Sequence, residues 1–201
     1  LTQAVCRFPA GACDLQARID QASGSGGGTV RVPRGDYPVA FLELKSNVRL
    51  ELEEGARLYA ETNALMSRAR GFRYEHDQDM AMVIASGATN VAIVGKGVID
   101  GLGQLATPYE NNRPGRWKIM DLRDAKGIHL EGIAISNSAS WTCYFRRCED
   151  VVCRSVRIDG HANYNNDGFD IEARNVLIED CDIDCEDDCI CGKIHDPGFV
   201  S

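Results

Sequence analysis

One short unit recurs along this chain, and its period decides what the chain can become. A turn residue followed by apolar-polar-apolar alternation appears as Asn47-Val48-Arg49-Leu50, Asn90-Val91-Ala92-Ile93, Gly127-Ile128-His129-Leu130, Asp150-Val151-Val152-Cys153 and Asn175-Val176-Leu177-Ile178. The last two steps between these units are 23 and 25 residues, and the longer early steps leave room for insertions. A second apolar stretch follows several copies, as in Val98-Ile99, Ile133-Ala134-Ile135, Val156-Arg157-Ile158 and Cys181-Asp182-Ile183. Short period-two strands broken by Gly, Asn or Asp, with no helical pattern between them, cannot build βαβ units. They stack instead as rungs of an all-β solenoid, a parallel β-helix, predicted as one domain over residues 1–201.

A solenoid must close its open end. Asp14 is placed to cap a short helix whose Leu15, Ile19 and Ala22 share a face, and the Gly24 to Gly28 run stops it. The segments from about Ala60 to Ala81 and from Gly103 to Arg116 break the rung pattern and read as inserted loops, the place where solenoids often build a binding face.

Composition narrows the partners. The formal charge is −8, which disfavours nucleic acid and anionic membrane. No apolar run approaches the roughly 20 residues of a membrane helix. Leu1-Thr2-Gln3-Ala4-Val5 has neither the basic nor the apolar part of a signal peptide. There are nine cysteines. Cys6 and Cys13 stand apart near the N-terminus as a candidate pair, while Cys143, Cys148, Cys153, Cys181, Cys185, Cys189 and Cys191 sit in strand-like alternation and read as core thiols. The 181, 185, 189, 191 spacing lacks the paired C-x2-C knuckles of a zinc site, so no metal is assigned.

Aligning the rungs gathers carboxylates. The stretches Thr142-Cys143-Tyr144-Phe145, Phe169-Asp170-Ile171 and Cys189-Ile190-Cys191 each follow a polar turn, so they are expected to stack about 4.8 Å apart. Placing Phe169 over Ile190 puts Asn166 on Asp187 and Asp167 on Asp188. Three acids at one corner repel, and at least one resists ionisation. Asn and Asp are also ordinary turn residues, so a solvated turn is the plain alternative. The same register puts Arg146, Glu172 and Lys193 in one column, either as a surface ion-pair ladder or as cations flanking the corner to hold sugar carboxylates.

At these residues the sequence resembles the polygalacturonases and related pectinases of glycoside hydrolase family 28. Asn165-Asn166-Asp167-Gly168 is similar to the family's N-T-D-G motif with one change. Glu186-Asp187-Asp188-Cys189-Ile190 is similar to its G-D-D-C-I, with Glu in place of Gly. Gly24 to Pro33 (GSGGGTVRVP), Lys45 to Val48, Gly97 to Gly103 (GVIDGLG) and Asn137 to Trp141 (NSASW) extend the resemblance along nearly the whole chain in the family's order.

The resemblance implies a right-handed β-helix and an inverting hydrolase of α-linked galacturonic-acid-containing pectic polysaccharide, secreted or periplasmic, with no cofactor. An inverting site sets an acid and a base roughly 6.5–9.5 Å apart with water between them. Carried over by motif, Asp187 is the general acid, Asp167 and Asp188 activate the water, and Asn165 supports them. Arg146 and Lys193 are the expected substrate cations. The family's G-H-G and R-x-K motifs lie beyond the aspartates and have no counterpart before Ser201. Arg116-Trp117-Lys118 carries the R-x-K letters far upstream, and His161 and His195 read as turn residues. The chain is therefore expected to be an N-terminal portion, completed by a further segment or a second chain. Two other readings compete: a pectate lyase-like β-helix using calcium, and a non-catalytic carbohydrate-binding β-helix.

Overall fold

The computed structural model describes residues 5–6, 14–69, 80–107 and 115–200, and within them the chain winds as a three-faced, right-handed parallel β-helix. The first face carries β1 (Val5–Cys6), β2 (Gly28–Val32), β5 (Val48–Leu52), β8 (Thr89–Gly95) and β11 (Lys126–Glu131). The second carries β4 (Leu42–Glu43), β7 (Ala81–Ser86), β10 (Lys118–Arg123) and β17 (Ile190–Gly192). Two long strands, β13 (Cys143–Arg154) and β15 (Phe169–Glu179), bend around the corner and belong to both, with a register shift between Arg146 and Cys148. The third face is β3 (Gly35–Val39), β6 (Ala56–Ala60), β9 (Val98–Asp100), β12 (Ala134–Ser136), β14 (Arg157–Gly160) and β16 (Asp182–Cys185).

The repeat works through like-on-like stacking. Val91, Ile128, Val151 and Val176 form one inward column of the first face, and Leu50, Ile93, Leu130, Cys153 and Ile178 form the next. Leu58, Ile99, Ile135, Ile158 and Ile183 line the third face. Burying a Val, Leu or Ile side chain contributes about 1.5–3 kcal/mol, and each column does this once per rung. The turn residue ahead of each copy has a distinct task. Asn47, Asn90, Asp150 and Asn175 all take left-handed backbone angles, which Asn and Asp tolerate better than most residues. Their side chains pair between rungs: Asn90 Nδ2 donates to Asn47 Oδ1 at 3.1 Å, and Asn175 Nδ2 to Asp150 Oδ1 at 3.0 Å. Gly127, also left-handed, takes the same place in its rung without a side chain and so interrupts this ladder.

Helix α1 (Leu15–Gly24) closes the first rung. Asp14 accepts from Ala17 N at 3.0 Å, and Leu15 and Ile19 are buried. Gln16 clamps the helix to β4 through the backbone N–H and carbonyl of Glu43. The expectation of a plain loop after Ala60 is corrected by a second helix, α2 (Thr62–Ala69). Glu61 accepts from Ala64 N at 2.8 Å and Leu65 is buried, but eight residues are too few to show a helical period in sequence. Residues 70–79 of that segment and 108–114 of the second insertion lie outside the described residues, as does Cys13 and so its pairing with Cys6.

Cys143, Cys148 and Cys153 are buried, and Cys181 and Cys185 pack partly against the core. Burial pushes the Cys148 and Cys185 thiols up to about 12, which makes them unreactive packing groups. The core-thiol expectation fails for Cys189 and Cys191. Ile190 carries the inward column from Phe169, so Cys191 stacks on outward-facing Asp170, while Cys189 is exposed.

Candidate active site

The corner between the third and second faces is built from two turns on adjacent rungs. In the first, Asn165 takes a left-handed backbone angle and turns its amide back to donate to Asp167 Oδ1 at 2.9 Å. Asp167 is 2% exposed, and its carbonyl accepts from Thr142 N at 2.8 Å, which locks it to the rung before. In the second turn, Asp188 accepts from Gly168 N at 2.8 Å, and Phe169 pairs with Ile190. That register stacks Asp167 on Asp188. The rungs approach most closely at Gly168, where a Cβ would meet the Cys189 carbonyl oxygen at 2.4 Å and Ile183 Cγ2 at 2.8 Å. Only glycine fits there.

Acidic ligand atoms meet as a result: Asp167, Asp188 and Cys191 each offer one within 4.8 Å of the others. The cation among them is Lys193. Its Nζ lies 2.9 Å from Asp167 Oδ2 and 2.9 Å from Asp170 Oδ1, with the Trp141 ring centroid 4.4 Å away. The pairing with two carboxylates raises the Lys193 ammonium above the usual lysine value even though burial works the other way. Asp187, like Asp188, is exposed in the same turn. Glu186, the change from the family's glycine, is also exposed, and its N–H continues the sheet by donating to Gly160 O at 2.9 Å.

The Arg146, Glu172, Lys193 column stands in register, yet its side chains part. Arg146 Nε lies 3.8 Å from Glu172 Oε2, while the Lys193 ammonium turns to the aspartates. Glu172 is fully buried and accepts from the backbone of His195 at 2.9 Å and of Asp196 at 2.5 Å, pinning the segment that follows Lys193 over the second face. His195 Nδ1 meets the Tyr144 hydroxyl at 2.9 Å. Burial lowers the His195 imidazole from its ordinary value. His161 stays at the edge, exposed and 2.9 Å from Asp184, which raises it. Arg116 also has structural work, donating to the carbonyls of Ala139 and Tyr164 beneath the first turn.

Two features were not legible from the motifs. Asp170 is fully buried, and burial, with the Asp167 carboxylate next, pushes it up to about 8. The outward position of Asp170 follows from strand alternation, but its burial depends on what covers the face. Asn166, in the altered motif position, is fully buried with neither amide atom hydrogen-bonded among the described residues.

The corner between these two turns is lined by carboxylates on the outer face of a parallel β-helix, and comparison with known proteins gives the family. Residues 25–195 match the model of glycosyl hydrolases family 28, and the chain belongs to that family. It is 28% identical over 192 residues to exopolygalacturonase A of Aspergillus niger, covering 87% of this chain and 43% of that protein. It is 25% identical over 196 residues to a probable polygalacturonase of Vitis vinifera, covering 90% and 40%. The chain thus spans less than half the length of these curated relatives. Among solved structures it is similar to the polygalacturonase from Erwinia carotovora ssp. carotovora, with a TM-score of 0.74 at 20% identity over 94% of this chain and 57% of that one. It is also similar to the family 28 exopolygalacturonase of Yersinia enterocolitica, with a TM-score of 0.73 at 23% identity over 89% and 41%.

Proposed function

We propose that this chain carries the acid and base carboxylates of a glycosidase that hydrolyses α-linked galacturonic-acid-containing pectic polysaccharide with inversion. The observation that carries the reading is the register that stacks Asp167 on Asp188, next to Asp187 in the same turn, in a chain of family 28.

In this reading Asp187 protonates the leaving glycosidic oxygen. Asp167 and Asp188 hold the attacking water and accept its proton, because two carboxylates on neighbouring rungs converge on one small volume. Asn165 fixes the Asp167 carboxylate from the turn side. Arg146, partly exposed beside the corner, supplies a positive charge for a sugar carboxylate. Pectic substrate lies outside the cell that makes such an enzyme, so secretion is part of the proposal.

The test is reducing-sugar release from a panel of pectic polymers by the parent and by Asp187→Asn. Hydrolysis of one polymer by the parent, with a loss of roughly two or more orders of magnitude in the variant, is the expected result. Glycan binding without turnover, in the parent and also in a form extended past Ser201, makes the corner a binding site and the hydrolase reading wrong.

A further inference from the structure

Lys193 is the cation of the carboxylate corner, and its surroundings indicate its task. Its ammonium donates to Asp167 Oδ2 at 2.9 Å and stands 2.9 Å from Asp170 Oδ1, and the Trp141 ring closes over the same group. Such an ammonium is a poor receptor for an incoming uronate and a good fixture for the carboxylate it already holds. Asp170 is fully buried, so its position is set by packing rather than by solvent.

We propose that Lys193 and Asp170 are positioning residues for the water-activating pair: Lys193 holds the Asp167 carboxylate in one orientation as an anion, and Asp170 holds Lys193. The proposal rests on the hydrolase reading above for its catalytic meaning, though the contact itself does not. Asp170 is pushed up to about 8 by burial and by Asp167, against the pull of Lys193. At neutral pH it therefore keeps its proton and leaves the charge of Lys193 to Asp167. Above about 8 it ionises and competes for the ammonium. The other titratable or charged groups around the trio are Asp188 and Cys191 on the following rung, Cys185 from the third face and Glu172 with His195 beyond Lys193. From the preceding rungs come Tyr144 and Arg146, then Asp121 and Arg123.

The experiment uses the full chain in four forms: parent, Lys193→Met, Lys193→Arg and Asp170→Asn. Carboxyl carbon NMR follows Asp170 against pH, and reducing-sugar release gives kcat and KM against pH. In the parent Asp170 titrates near 8, and in Lys193→Met it titrates higher. Lys193→Met lowers kcat about 100-fold while KM changes less than about threefold, and the acidic limb of the rate profile moves to higher pH by about one unit. Lys193→Arg restores the limb because the charge returns. Asp170→Asn keeps the limb and extends activity above pH 8.

A lysine that is merely structural lowers thermal stability and kcat together and leaves the limb in place, and that pattern overturns the proposal. So does a tenfold or larger rise in KM with kcat and limb unchanged, which makes Lys193 a substrate receptor. If Lys193→Met does not fold, Lys193→Gln, which also removes the charge, takes its place under the same criteria. A parent inert on every pectic polymer ends the hydrolase reading alone. The titration then still decides the contact: an Asp170 curve unmoved in Lys193→Met overturns it.

Discussion

Asn166 and Asp170 sit four residues apart, and each carries a cost that the motif around them conceals. A buried amide without a partner costs about 1–3 kcal/mol. Asn166→Thr, which restores the family's residue, is therefore expected to raise stability by about 1 kcal/mol in denaturant unfolding, and a drop of that size means the amide has a partner that Thr cannot replace. Asp170 stays protonated in the fold up to about 8, whereas an unfolded aspartate loses its proton near 3.9. The unfolded chain therefore binds fewer protons between roughly pH 4 and 8, so this residue makes stability fall as pH rises through that window, with its contribution complete only below pH 4. Asp170→Asn should flatten the stability profile there, and an unchanged slope between pH 4 and 8 contradicts the assignment. In the sequence, alternation placed Asp170 and Glu172 on the outer side of the strand. It carried no sign of their burial, because that depends on the segment around His195 folding back over Glu172.

The elements show which patterns are readable and which are not. Strand register was readable because apolar residues must stack on apolar residues: Phe169 over Ile190 followed from the turns alone, and the inward columns of the first and third faces are the recurring apolar positions. Where a rung ends, that logic stops. Cys191 turned outward because the inward place belongs to Ile190, and the Lys193 ammonium left its column for two buried aspartates. Helix α2 was hidden by its length. The tightest element-level constraint is the rung contact at Gly168, where backbone meets any added Cβ. Gly168→Ala is expected to cost at least about 2 kcal/mol and to displace Asp167 relative to Asp188. Thermal unfolding of the variant measures the first, and unchanged stability contradicts the close packing of the two aspartate turns.

At the scale of the whole molecule, a solenoid of this kind is stabilised rung by rung, so a defect in one column is felt chiefly by its neighbours. Ile135 is buried between Ile99 and Ile158 on the third face, away from the corner. Ile135→Ala should cost about 2–5 kcal/mol yet leave the rate profile of the folded protein in place, whereas the Lys193 variants alter the profile more than the stability. Stability and chemistry are thus assigned to different sides of the same rungs: inward columns hold the coil together, and the outer face near the Asp167 turn holds the charges. The product of hydrolysis tests this division most directly. If Asp167 and Asp188 deliver water while Asp187 acts from the other side, the first sugar released from an α-linked galacturonan carries the β configuration, visible by proton NMR before mutarotation. A first product in the α configuration shows retention and contradicts the water-activating role given to the stacked pair.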